Sequence, residues 1–463
     1  MAVNAGARLD RLPITSFHWR MLGLIGAGMF LDGFEVYLGG GVLGALVKDG
    51  WSDMAHNAQF ISATFAGMFI GSWMAGILGD RFGRRFSYQA NLMIFGLASF
   101  GAALAPSMEW LIVARFVMGL GLGAEIVIGY VTLTEFVPPD RRGRWGAGLA
   151  TITSSALFFS SLLGYALIPT VGWRWMFVIV GVGAVIVWYL RKKMPESPRW
   201  LESKGHLEEA ERVMSEIEAE VSRSKPLPPV VPVAVVAPVQ RSVMALFSRE
   251  LLPRTITGSI ILITMNTALY GFIAWLPTFF VKQGVSVVTS LGYTTAMSLG
   301  GPVGAAIGMY LSDRLGRRPG IMVFSAIAIV LGLIYPQMSD PMAIGLVGFA
   351  LVTSIYVLLA FTWSLYIPEL FPTDIRMRGA GFCNTVGRLM TILTPYMVIT
   401  AFTAYGVLGV VATLSTLLLL QLIVVGLLGI ETKRQPLEAL APDGQDALLG
   451  MPMADGSRVR AID

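Results

Sequence analysis

The sequence predicts an all-α membrane protein with about twelve membrane-spanning helices in two related halves. Three observations carry this reading. The 463 residues are 55% hydrophobic and 14% charged, with a mean hydropathy of +0.68, against the 45–50% apolar content of soluble domains. Apolar runs of the roughly 20 residues needed to cross a hydrocarbon core recur along the chain. Two polar loop motifs also appear twice, about half a chain apart.

The apolar runs fall near residues 20–47, 58–79, 86–105, 109–134, 146–167 and 173–192, and again near 253–281, 288–311, 320–337, 341–367, 378–401 and 405–429. The run 253–281 contains Gly and Pro and reads as a broken helix. The chain therefore divides into a tail (1–19), a six-helix bundle (20–193), a linker (194–250), a second six-helix bundle (251–430) and a second tail (431–463). Within the linker, His206–Val221 has the acidic pattern of a surface amphipathic helix, and Pro226–Val239 is Pro/Val-rich and extended. The first twenty residues are polar and carry Asp10, His18 and several arginines, so no cleavable signal peptide is evident.

Charge sets the expected orientation, because short Lys/Arg-rich loops stay cytoplasmic. Arg81, Arg84 and Arg85 follow the second run, and Arg141, Arg142 and Arg144 the fourth. Arg314, Arg317 and Arg318 follow the eighth, and Arg376 and Arg378 the tenth. Both termini are expected inside, in a cell (plasma or inner) membrane. The formal charge of +5 is spread over these loops rather than on one face, which argues against a nucleic-acid partner. Cys383 is the single cysteine, so no intramolecular disulfide forms.

Gly79–Arg85 (GDRFGRR) recurs as Ser312–Arg318 (SDRLGRR), and Glu135-x-x-Pro138-x-Asp140 recurs as Glu369-x-x-Pro372-x-Asp374, at offsets of 233 and 234 residues. Matching offsets argue for duplication of a six-helix unit. At these residues the chain resembles the major facilitator superfamily, whose loop between the second and third spans reads G-x-L-G-D-R-x-G-R-R, as Gly76–Arg85 does. Pro195-Glu196-Ser197-Pro198-Arg199-Trp200-Leu201, Glu431-Thr432-Lys433 and Arg115-x-x-x-Gly119-x-Gly121-x-Gly123 look like the sugar-porter and organic-ion branch. The resemblance implies the major facilitator fold, alternating access, and a monomer without cofactor or metal. The loop residues read as a conformational latch: Asp80, Arg81, Arg84, Arg85, Glu135 and Arg141 in one half, and Asp313, Arg314, Arg317, Arg318, Glu369 and Arg376 in the other. Single exposed pairs are worth about 0–1 kcal/mol, but several together bias a two-state equilibrium.

Asp32 and Glu35 lie three residues apart in the first span. A charge at mid-bilayer costs at least about 2.5 kcal/mol, so such groups normally face a cavity and mark function. The resembling sugar/proton symporters have an acid at the position of Glu35 and an arginine at that of Arg115, which implies a proton-coupling set of Asp32, Glu35 and Arg115. Asp32 departs from the sugar pattern and looks like the D-G-x-D/E signature of aromatic-acid/proton symporters. Glu125, ten residues beyond Arg115, either lines the cavity or pairs with another base. Arg388 is the clear intramembrane base of the second half, and a guanidinium holds a carboxylate through paired hydrogen bonds. Asn384, Tyr37, Tyr270, Trp275, Tyr356 and Trp363 join Arg388 and Glu125 as candidate substrate contacts, and Phe361 is a further aromatic in the same spans. Gly119, Gly121 and Gly123 read as close helix packing.

The glutamines that sugar porters place in the fifth and seventh spans are missing from Thr151–Ala156 and Thr264–Gly271, which disfavours a hexose. His18, His56 and His206 lie outside the predicted spans, and neither a metal-ligand cluster nor a phosphate-binding loop is found, so an enzyme is not expected. The expectation is proton-coupled symport of a small organic anion, such as the aromatic monocarboxylates benzoate or nicotinate. Organic cation or drug antiport and sugar/proton symport stand as alternatives.

Overall fold

The computed structural model describes residues 3–230, 243–371 and 375–432, without the side chains of 75–80, 126, 127, 140, 143, 243, 313, 364, 376 and 377. It is helical throughout the described residues, and each of the twelve apolar runs forms helix. The helices are α1 (Ala5–Asp10), α2 (Ser16–Lys48), α3 (Met54–Phe82), α4 (Arg84–Ala103), α5 (Met108–Phe136), α6 (Arg142–Val171), α7 (Arg174–Arg191), α8 (Pro198–Ser203) and α9 (Leu207–Ser222). After the linker come α10 (Leu252–Thr267), α11 (Leu276–Lys282), α12 (Val287–Ser298), α13 (Gly300–Leu315), α14 (Arg317–Ile334), α15 (Pro341–Phe361), α16 (Ile367–Glu369) and α17 (Arg376–Leu428). The expected break in the seventh run is present: a π-turn at Ala268–Phe272 and a 3-10 turn at Ile273–Trp275 separate α10 from α11. The last two runs are joined in α17 across Gly406, whose φ of 63° is open to glycine and interrupts the helix.

Two compact units are present. The first comprises residues 1–235 with 273–302 and 392–403. Glycines set its closest approaches, because a Cβ would strike backbone. Cβ atoms at Gly67 and Gly71 of α3 would lie 2.2 and 2.0 Å from the carbonyls of Phe116 and Leu120. Those at Gly119 and Gly123 of α5 would lie 2.3 and 2.0 Å from Thr64 and Met68 carbonyls. The α3–α5 contact is thus the close packing expected of Gly119 and Gly123. Gly121 faces α4 instead, with its Cβ position 2.8 Å from the Asn91 carbonyl. At the Lys48 end of α2, Gly40 admits the Ala274 carbonyl, 2.3 Å from its Cβ position, and Ser62 donates to the Ile392 carbonyl at 2.8 Å. These approaches place segments 273–302 and 392–403 with the first unit.

The polar start of the chain is folded onto the linker helices. Arg8 pairs with Glu211 at 2.6 Å and Glu218 at 2.7 Å, Arg11 with Glu218 at 2.7 Å, and Asp10 with Arg142 and Arg199 at 2.9 and 2.5 Å. Leu9 and Phe17 pack with Met214, Ile217 and Val221 of α9, the apolar stripe of the amphipathic helix.

The second unit comprises residues 236–272, 303–391 and 404–463. Its close approach repeats the α3–α5 pattern: a Cβ at Gly304 of α13 would sit 2.4 Å from the Thr353 carbonyl of α15. Cys383 is buried against Gly258, as an inert packing residue.

Candidate functional site

One face of α2 organises the first unit's buried charges. Gly28, Asp32, Glu35 and Gly39 are spaced four, three and four residues apart, which stacks them on one side of a helix over about 16 Å. At the Gly39 level, Glu35 (0% exposed) pairs with Arg115 (2% exposed) through a short contact of the Glu35 Oε1 with the Arg115 Nη1. The same guanidinium donates from Nε to the Thr64 hydroxyl at 2.9 Å and from Nη1 to the Glu35 carbonyl at 3.3 Å. It also lies 4.5 Å above the centre of the Phe60 ring. Arg115 can reach across because the α3 and α5 backbones touch at their glycines.

At the Gly28 level stands a second buried pair, Glu125 of α5 with Arg191 of α7 at 2.5 Å. Their side chains are 2% and 0% exposed. Arg191 donates to the carbonyls of Leu24 and Ile25 at 2.8 and 3.0 Å and lies 4.5 Å from the Tyr88 ring centre. A Cβ at Gly28 would fall 2.0 Å from Arg191 Nη2 and 2.3 Å from Glu125 Oε1, so the bare glycine makes room for the pair. Asp32 sits between the two levels, 3% exposed, in electrostatic reach of Glu125, Arg191 and Glu35. Its Oδ2 is buried without a hydrogen-bond partner among the described residues.

In the second unit, Arg388 and Asn384 are one turn apart on α17. The helix is drawn against α10 at Gly387, whose Cβ position is 2.7 Å from the Asn266 amide nitrogen. Tyr270, in the π-turn, is the electrostatic neighbour of Arg388. Among the described residues no carboxylate pairs with Arg388, and the Asn384 side-chain oxygen is buried without a donor.

The repeated loops are built alike in both units. Gly83 (φ 94°) and Gly316 (φ 89°) turn the chain from α3 to α4 and from α13 to α14. A Cβ there would be strained by φ and would lie 2.3 Å from Glu196 Oε2 or 2.8 Å from Glu431 Oε2. The Glu196 carboxylate accepts from the backbone N–H groups of Arg84 and Arg85 at 2.9 and 3.1 Å. Glu431 accepts from those of Arg317 and Arg318 at 3.0 and 3.1 Å. Each is an acid on a helix N-terminus, where the exposed N–H groups and the dipole favour negative charge. Arg84 then pairs with Glu135 at 3.0 Å, and Arg317 with Glu369 at 3.2 Å. Burial holds the Glu196 carboxyl above the usual glutamate range, although the N–H groups of Ser197, Arg84 and Arg85 act the other way.

Residues 51–443 match the family model described as sugar (and other) transporter. The chain belongs to this family. It is 40% identical over 442 residues to the inner membrane metabolite transport protein YdjE of Escherichia coli K12, covering 94% of this chain and 98% of that one. It is 32% identical over 399 residues to the niacin transporter NiaP of Acinetobacter baylyi, covering 85% and 89%. Its fold matches the crystal structure of a D-xylose-proton symporter at a TM-score of 0.71 and 17% identity, over 90% of this chain and 99% of that one. This is the major facilitator fold expected from the loop motif, in a membrane transporter of small substrates and not an enzyme.

The expected site residues of the transporter sit in different surroundings. Of the two readings of Glu125, cavity lining or pairing with another base, the structure shows the pairing, with Arg191. Arg191 itself was hidden in the basic run Arg191-Lys192-Lys193, which reads as a topology signal at the end of a span. Trp275 (1% exposed) stacks on Phe279 at 6.1 Å, and Tyr356 (1% exposed) packs where Gly304 omits a side chain, so both fill core. Tyr37 lines a cavity of about 20 Å³, with space for about one water and not for an organic acid. Trp363 is half-buried, with no acceptor for its indole N–H among the described residues. Of the latch set, Arg81 and Arg314 are exposed and lie over Phe82 and Tyr310, Arg85 donates to the Lys192 carbonyl, and Arg318 donates to that of Gly426. Arg141 is exposed, while the Asp80, Asp313 and Arg376 side chains lie outside the described residues. Glu196 and Glu431 were visible in the sequence only as family signatures. Their offset of 235 residues, beside 233 and 234, is the signal that assigns them to the repeated loop.

Proposed function

We propose that the protein is a proton-coupled symporter of a small organic anion, an aromatic monocarboxylate of the nicotinate or benzoate kind, working by alternating access. The observation that carries this reading is Arg388. A guanidinium in a membrane-spanning segment is costly unless something answers its charge, and no carboxylate of the described chain does so. A substrate carboxylate would answer it through two parallel N–H···O bonds, with Asn384 and Tyr270 alongside. The niacin transporter among the relatives supports an aromatic acid as the substrate class. In the first unit, the buried acids of α2 with Arg115 would carry the coupled proton. One proton moving inward supplies about 1.4 kcal/mol per pH unit, while its gain of about 2.3 kcal/mol per 100 mV is cancelled by the charge of a monovalent anion carried with it one for one. The loop pairs Arg84–Glu135 and Arg317–Glu369 would bias the conformational equilibrium as latches.

Titration calorimetry of the purified protein with nicotinate, benzoate and the uncharged nicotinamide tests the anion assignment. Binding of the two acids but not the amide, lost in Arg388→Ala, is the expected result. Equal binding of nicotinamide, or acid binding untouched by Arg388→Ala, would overturn it.

A further inference from the structure

The first unit buries three carboxyl groups (Asp32, Glu35, Glu125) against two guanidiniums (Arg115, Arg191) along one face of α2. An uncompensated ion there costs several kcal/mol, so the set is neutral when it holds one proton. Glu35 and Glu125 each have an arginine, and Asp32 is the carboxyl left over. Beyond the Glu125–Arg191 ion pair, four buried atoms of this cluster lack a hydrogen-bond partner among the described residues: Arg191 Nη1 on the donor side, and Asp32 Oδ2, Glu35 Oε2 and Glu125 Oε2 on the acceptor side. The free Arg191 donor is complementary to the open oxygens of both Asp32 and Glu125, so it has two carboxyls to choose between, and buried polar groups left unmade are the exception in folded proteins.

We infer that Asp32, Arg191 and Glu125 form a proton relay distinct from the Glu35–Arg115 pair. In the state described, Arg191 holds ionised Glu125 and the proton rests on Asp32. In the second state the O–H bond of Asp32 breaks and one forms on Glu125, while Arg191 turns its charge from Glu125 to Asp32. One proton and one positive charge exchange places, and the net charge of the cluster is unchanged throughout. The proton advances about one helical turn along α2 toward its Ser16 end, from the Asp32 level to the Gly28 level. Gly28 is the clearance that lets the arginine turn. The titratable and charged groups facing the relay are Glu35 on α2, itself paired with Arg115 of α5, and Tyr88 on α4. The buried Tyr88 hydroxyl neighbours Thr132 and lies within electrostatic reach of Glu125 and Arg191. At this level α6 brings Thr153 and Ala156 against Gly33, and among the described residues no titratable group.

The inference rests on the proton coupling proposed above, and its test needs no substrate. Infrared difference spectroscopy of the purified protein near neutral pH reads the carboxylic-acid C=O stretch, which a carboxylate lacks. Wild type should show one such buried band, lost in Asp32→Asn and also in Glu125→Gln, because Arg191 then turns to Asp32 and ionises it. Arg191→Gln should double the band, leaving two acids without a cation, and Arg191→Lys should restore a single one. Monodisperse elution of each variant separates these outcomes from unfolding. No band in wild type, or a band that survives Asp32→Asn, would place the proton elsewhere and overturn the assignment. A band that survives Glu125→Gln would leave Asp32 as an isolated acid and overturn the relay. Failure of the anion assignment would show as absent nicotinate binding while these bands behave as described.

Discussion

Replacing Arg115 with Gln removes the cation from a carboxylate that is fully buried. The guanidinium of Arg115 meets the Glu35 carboxylate, donates to Thr64 at 2.9 Å and lies over Phe60 at 4.5 Å. Breaking a buried pair from one side costs about 3–5 kcal/mol, because the other charge is left uncompensated. The Arg115→Gln change should therefore destabilise the protein by about that amount, and Glu35→Gln by a similar or slightly smaller one, since Arg115 keeps Thr64 and the Glu35 carbonyl. In the double variant no charge is stranded. What remains is the loss of the Thr64 hydrogen bond, about 1.5–3 kcal/mol for a charged donor, and of the ring contact, up to about 2 kcal/mol. Thermal unfolding of the four proteins in one detergent gives the cycle. The double variant should fall short of the summed single losses by about 5 kcal/mol at the middle of these ranges and by at least about 1 kcal/mol. Losses that add to within about 0.5 kcal/mol, as independent sites do, would refute a coupled pair.

Three further outcomes follow from the geometry. Gly123→Ala puts a methyl group 2.0 Å from the Met68 carbonyl, where neither backbone yields easily; it should cost about 1–3 kcal/mol or more, read by thermal unfolding, and a loss under about 0.5 kcal/mol would contradict the α3–α5 approach. Burial alone would raise Glu218, but hydrogen bonds from Arg8 and Arg11 outweigh it and hold its carboxyl below the ordinary range. A depressed acid contributes stability above its unfolded value, about 4.3, and loses it as pH falls through its folded value. Hydrogen exchange of residues 5–10 should accordingly lose protection below about pH 4.3, by about 1 kcal/mol or less for this partly exposed pair. Arg388→Lys keeps the charge but loses the planar fork, so nicotinate should bind more weakly by about tenfold in calorimetry, and unchanged affinity would argue against bidentate recognition.

The twelve helices were legible because membrane spans are read from length and hydropathy, which one sequence contains in full. The loop architecture was legible in part. The repeats put Glu135 and Glu369 in the same latch sets as the loop arginines without saying which arginine each meets, and the capping role of Glu196 and Glu431 depends on residues more than a hundred positions away coming to a glycine turn. The same limit applies to charge. Glu35 and Arg115 could be matched through a family resemblance, whereas Glu125 and Arg191 belong to helices whose facing residues no periodicity reveals. Arg191 in particular was masked by the lysines that follow it. Aromatic residues were the least legible: Trp275 and Tyr356 occupy spans that line cavities in this fold, yet rotation about the helix axis puts them into packing instead. Gly28 carried no signal, since its meaning lies in what sits across from it.

The central claim, that substrate anion and proton move together, is tested most directly by recording both in the same proteoliposomes with nicotinate outside. The account predicts alkalinisation of the outer medium on adding nicotinate, one proton per molecule taken up, no response to nicotinamide, and loss of the signal in Arg388→Ala and Asp32→Asn. Nicotinate uptake without proton movement would contradict it.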